Sequence, residues 1–157
     1  MIIRPAAADD VPQVLPMVAK IAALHEELEP AKYSYLPHPE ERYRNWLTAR
    51  ATDPRSVFLV AAHEQEQKLV GFLIATVERE IPIYRLSEFG FIHDLWIEPE
   101  YRHEGLSRQM TMLAIEKFRD VGMKQVRLDT ASKNDAARAL FASCGFHISS
   151  MEMLIEL

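Results

Sequence analysis

At 157 residues and 48% hydrophobic content, the chain is long enough to bury one substantial core and too short for two full-sized domains, so a single domain over 1–157 is expected. A formal net charge of −5 argues against a nucleic-acid partner, which needs a dominant basic patch, and is compatible with a cationic one. No stretch approaches the roughly 18 apolar residues that span a bilayer, and Arg4 and Pro5 interrupt the opening run before a signal-peptide core can form. The single cysteine, Cys144, has no intrachain partner, and isolated His and Cys residues do not make a metal site, so a reducing, cytoplasmic setting without membrane or metal is expected.

Met1 to Ala6 reads as a strand. Asp9 or Asp10 then caps a helix to about Glu27, whose apolar face carries Val14, Val18, Ile21 and Leu24. Pro12 suits its first turn, whereas Pro16, set deeper, predicts a kink or a delayed start. Pro30, Tyr33, Tyr35, Pro37 and Pro39 mark a loop, and a second helix follows from about Glu40 to Ala51. Val57 to Ala62 and Leu69 to Val77 are β-rich runs flanking the polar turn Glu64 to Lys68, the pattern of a hairpin. Past Pro82, a strand from Phe89 to Ile97 is halted by Glu98-Pro99. Leu106 to Val121 is an amphipathic helix stopped at Gly122. Val126 to Thr130 is a strand, Asp135 to Ser143 a helix ending at Gly145, and Ile148 to Leu157 a closing strand. Together these predict an α/β (α+β) fold with a mixed, mostly antiparallel twisted sheet of about six or seven strands and helices on both faces. Strands joined across the Leu106 helix are expected to be parallel.

The most informative stretch runs from Asp94 to Ser107, where a strand stops at Pro99, a short loop turns at Gly105 and a long helix begins. The first N–H groups of such a helix have no intrahelical acceptor, and its dipole adds partial positive charge, so a pyrophosphate can sit there. Gly105 allows close backbone approach, Ser107 leaves room in the first turn, and Arg102 offers a charge-assisted contact. His103, Glu104, Leu106 and Arg108 complete the turn; Glu104 must face solvent to avoid repelling phosphate. Neither a Walker loop nor a dinucleotide fingerprint is present.

Arg102-x-x-Gly105-x-Ser107 after a strand resembles the Arg/Gln-x-x-Gly-x-Gly/Ala motif of the GCN5-related N-acetyltransferases, with Ser as the last small residue. Downstream, Asn134 to Phe146 is similar to that family's Asn-x-x-Ala-x-x-Leu-Tyr-x-x-x-Gly-Phe segment, with Ala137, Leu140, Gly145 and Phe146 in register and Phe141 in place of the Tyr. The resemblance implies transfer of an acetyl group from acetyl-CoA to a primary amine of a small molecule or peptide. It further implies a cofactor site built from Leu95, Trp96, Ile97 and residues 102 to 108, flanked by Asn134 and Phe141. A homodimer through the terminal strands or the hairpin is a further implication.

Direct attack needs a neutral amine, so a base is required. His93 and Asp94 are the two candidates, and because neighbours on a strand face opposite sides, only one reaches the acyl group unless a bulge turns both. His93 matches a position where several relatives carry glutamate. Phe141 cannot protonate the leaving thiolate, which leaves Cys144, Ser143 or water, or no acid at all. Glu26 with Tyr33 and Tyr35, and Tyr84 on the other rim, offer carboxylate and aromatic faces to an ammonium. Two other readings stay open: a CoA-binding sensor without turnover, and an interaction protein whose helix-start loop binds nothing.

Overall fold

In the computed structural model, which describes residues 1–157, strands β1 (Ile2–Pro5), β2 (Val57–His63), β3 (Lys68–Arg79), β4 (Glu88–Ile97) and β5 (Val126–Leu128) lie side by side in that order. The first four are mutually antiparallel, and β5 joins β4 in parallel. The helices are α1 (Val11–Leu28), α2 (Pro39–Arg50), α3 (Leu106–Asp120) and α4 (Asp135–Ser143).

Alternation along the apolar strands explains why both sheet faces are covered. Phe58 and Val60 of β2 pack with Val14, Val18 and Leu47 of α1 and α2, whereas Leu59 and Ala61 pack on the other face with α3. Leu106, Met110, Ala114 and Phe118 recur every fourth residue of α3, and all are 5% exposed or less. Burying each large side chain contributes about 1.5–3 kcal/mol. Gly90 of β4 has no Cβ, and one built there would lie 2.6 Å from the Phe118 ring. That close approach fixes α3, and with it the turn at Gly105, against the strand carrying His93 and Asp94.

The first helix begins at Val11 and passes through Pro16 without a delayed start, so Pro16 simply forgoes one backbone hydrogen bond. Asp10 does not cap it. Its carboxylate accepts from both Arg4 nitrogens, at 2.7 and 2.8 Å, and from the Ala7 N–H at 2.8 Å, and the Arg4 bond holds it below the usual carboxylate range.

The sheet has five strands rather than six or seven, because Ile148–Leu157 forms no strand. Alternating apolar residues favour a strand only where a neighbouring strand and a covering layer receive them. Here β5 is three residues long, residues 148 to 157 make no backbone hydrogen bond, and Ile148, Met151, Met153 and Ile155 are all more than 70% exposed. The segment is tied down by an ion pair between Lys32 and Glu152.

Candidate active site

The register of β3 against β4 passes from Ile74↔Asp94 to Ala75↔Ile92, which leaves His93 as an extra residue in β4. This bulge decides where the two candidate bases point. Ile92 and Leu95 pack on the α3 side, while His93 and Asp94 both face α2. The His93 ring meets Trp46 edge-on at 5.1 Å and Phe91 at 5.0 Å, and Asp94 accepts a hydrogen bond from the Tyr43 hydroxyl at 3.0 Å. Strict alternation would have sent one of the pair into the opposite core.

Their electrostatics differ. Burial lowers the His93 pKa below the ordinary imidazole value, against an opposing pull from Glu78, so the ring is neutral at neutral pH. Burial raises Asp94 from 3.8 to about 6, with the Tyr43 hydrogen bond opposing. Burial, helped by the nearby Asp94 charge, pushes Tyr35 up to about 12 and drives Tyr43 upward too, so both phenols remain hydrogen-bond donors. Arg42, Tyr43, Trp46 and His93 line a hollow of about 200 Å³. A larger hollow of about 410 Å³ lies at the β1 edge beside Arg4, Asp10 and His63, where Asp10 is already engaged by Arg4.

The raised Asp94 value has a consequence for stability. The folded state binds this proton more tightly than the unfolded chain does between about pH 4 and pH 6, so stability falls as pH rises through that window. Above it the deficit is roughly 3 kcal/mol. An asparagine still accepts from Tyr43 but carries no charge. Asp94→Asn should therefore be more stable than wild type by about 1–3 kcal/mol near pH 7.5, with no advantage near pH 4, in urea titrations at the two pH values.

Beyond the bulge, β4 parts from β5. The two pair only at Gly90, Phe91 and Ile92, so from His93 to Ile97, including Leu95 and Trp96, β4 has no strand on that edge. This free edge leads to the turn before α3. There the N–H groups of residues 103 to 108 have no backbone acceptor, and His103 (φ 67°) and Gly105 (φ 79°) adopt left-handed conformations. Successive amides bent in this way form an anion-binding concavity at the positive end of a helix. Glu104 points into solvent with no partner, as do His103 and Arg108; Leu106, the first residue of α3, is buried against the sheet, and the Ser107 carbonyl is taken by Thr111.

Several expected site residues also make contacts that hold the scaffold. Arg102 donates to the Ile97 carbonyl at 2.9 Å and stacks on the Trp96 ring at 4.7 Å, which pins the turn to the strand end. Trp96 in turn donates to Glu98, which pairs with Lys20 at 2.7 Å. Asn134 caps α4 by accepting from the Ala137 N–H at 3.1 Å, and Phe141 packs edge-on against Phe146 at 5.7 Å. Cys144 closes α4 with its Sγ 4.0 Å from the Ser143 hydroxyl and makes no hydrogen bond to His93 or Asp94. Glu26 accepts the Tyr35 N–H at 3.1 Å and so orders the aromatic loop, in which Tyr33 and Tyr35 stack at 6.5 Å. Tyr84 is exposed in the β3–β4 connection, apart from the others. Sequence reasoning did not single out Tyr43, Trp46 or Thr76. Tyr43 and Trp46 stand three residues apart on one helix face, and that spacing was the available signal.

Residues 21–146 match the sequence profile of the Acetyltransferase (GNAT) family. The chain belongs to this family. It is 25% identical over 122 residues to a mycothiol acetyltransferase of Segniliparus rotundus, covering 74% of this chain and 44% of that protein. Human N-acetyltransferase 8 is 32% identical over 91 residues, covering 58% of this chain and 38% of that protein. The chain thus spans less than half the length of either curated relative. An aminoglycoside 6'-N-acetyltransferase of Acinetobacter haemolyticus superposes with a TM-score of 0.74 at 16% identity, over 100% of this chain and 98% of its own, which shows a common fold. Among GNAT folds, this one is built on a mixed five-stranded sheet with helices on both faces. No helix is long and apolar enough to cross a membrane.

Proposed function

We propose that the chain transfers an acetyl group from acetyl-CoA to the primary amine of a small molecule or peptide by direct attack. One observation carries this reading: the β4 bulge sets His93 and Asp94 together beside an aromatic hollow, where the free edge of β4 begins its run toward the amides of 103 to 108. Those amides suit a pyrophosphate, and the unpaired β4 edge suits the amide groups of a pantetheine arm. Acetyl-CoA supplies the activated thioester.

The residues of the chain do the rest. A free alkylamine is mostly protonated at neutral pH, and neutral His93 accepts that proton. Asp94 supplies a buried negative charge beside the cation, while Trp46, Phe91 and Tyr35 give it aromatic faces. Phe141 has no acidic proton, and the departing thiolate takes its proton from water.

Release of free thiol from acetyl-CoA, followed over a panel of polyamines, amino acids, aminoglycosides and peptides, tests the reading. Amine-dependent thiol release with acetylated product is expected. Tight CoA binding without release on any amine would instead favour a CoA sensor.

A further inference from the structure

The Thr76 hydroxyl joins His93 to Glu78, a carboxylate that the reaction above does not use. Its oxygen lies 2.8 Å from Glu78 Oε1 and 2.7 Å from His93 Nε2, and that nitrogen is 3.4 Å from the same Glu78 oxygen. Thr76 is 5% exposed, so water does not replace these partners. An ionised carboxylate accepts and never donates, so the hydroxyl proton points at Glu78 and the hydroxyl offers only lone pairs to the imidazole. Nε2 must then carry the ring proton. Nδ1 keeps its lone pair, has no hydrogen-bond partner in the chain, and is not among the sealed unpartnered atoms. The Tyr43 hydroxyl, which would otherwise be a competing donor in the same hollow, is given to Asp94.

We propose that Thr76 and Glu78 are positioning residues that hold neutral His93 as the Nε2–H tautomer, leaving Nδ1 as the atom that receives the amine proton. In that step an N–H bond of the ammonium breaks, its electron pair stays on the amine nitrogen, and an N–H bond forms at Nδ1. The imidazolium so produced keeps its Nε2–H on Thr76, with Glu78 behind it as counter-charge. The charged and titratable groups facing the ring are Glu78 from β3, Asp94 on its own strand, and Arg42 and Tyr43 from α2. The catalytic consequence rests on the acetyl-transfer reading; the tautomer does not.

The test uses the full chain labelled with ¹⁵N-histidine, with long-range ¹H–¹⁵N spectra recorded where His93 is neutral, alongside acetylation rates. Wild type and Thr76→Ser should both show Nδ1 unprotonated, with kcat/KM within about threefold of each other. Thr76→Val, similar in shape without the hydroxyl, should populate the Nδ1–H tautomer and lose roughly ten- to a hundredfold in kcat/KM. Glu78→Ala, at a half-exposed side chain that folding tolerates, frees the Thr76 proton to point at Nε2 and should shift the tautomer the same way. An Nδ1–H tautomer in wild type, or an unchanged Nε2–H tautomer in Thr76→Val and Glu78→Ala, overturns the proposal. A wrong tautomer with intact acetyl transfer sinks this inference alone. The expected tautomer with no transfer to any amine sinks the functional reading and the catalytic half of this one.

Discussion

Replacing His93 with alanine should lower kcat/KM for amine acetylation by about 10²- to 10⁴-fold, the usual contribution of a positioned proton acceptor. His93 is half-buried, neutral at neutral pH, and lines the hollow that would receive the amine. The acidic limb of the wild-type profile should report the pair His93 and Asp94, both of which must be unprotonated, with His93 shifted below the ordinary imidazole value and Asp94 raised to about 6. Without the imidazole, the remaining rate should climb with the fraction of free amine instead. Added imidazole, small enough for the vacated hollow, should restore part of the rate. A His93→Ala enzyme within about threefold of wild type and with the same pH profile would move the base to Asp94.

Gly105→Val should weaken CoA binding by roughly a hundredfold. At φ 79° a valine is strained, and no bulky neighbour contributes, since a Cβ there would meet only the Gln109 side chain at 3.7 Å. Torsion alone costs about 1–3 kcal/mol, and the turn escapes that cost by rotating its amides out of convergence. Losing two hydrogen bonds to a charged pyrophosphate, at the lower end of about 1.5–3 kcal/mol each, gives the stated factor. Asparagine, which tolerates the left-handed region, should lose less. Calorimetry with CoA measures both. Equal affinity in Gly105→Val and wild type would mean that these amides hold nothing.

The parts of this molecule that were legible in its sequence are those fixed by local pattern. The buried runs of β2 and β3, the fourfold spacing of Leu106, Met110, Ala114 and Phe118, and the strand–Gly105–helix turn each carry their own signature. What escaped depends on partners. Ile148–Leu157 alternates as a strand should, yet nothing lies beside it to complete a ladder. The bulge at His93 was foreseeable only as a possibility, because the extra residue exists relative to β3 and leaves no mark within Phe91-Ile92-His93-Asp94. Arg102 reads as a phosphate contact from its motif alone, whereas its stacking on the Trp96 ring and its bond to the Ile97 carbonyl through Nε depend on how the turn folds back. Tyr43 and Trp46 read as a shared helix face, and only the docking of α2 reveals which strand residues they meet. Thr76 looks like any strand threonine until Glu78, two residues on, and His93, across the ladder, converge on its hydroxyl.

The most direct measurement is a crystal structure of the full chain with CoA. Pyrophosphate oxygens within about 3 Å of amides between His103 and Arg108, with the thiol at the mouth of the β4–β5 gap beside His93 and Asp94, are the expected result. An empty turn with CoA bound elsewhere, or a thiol remote from His93, would contradict it.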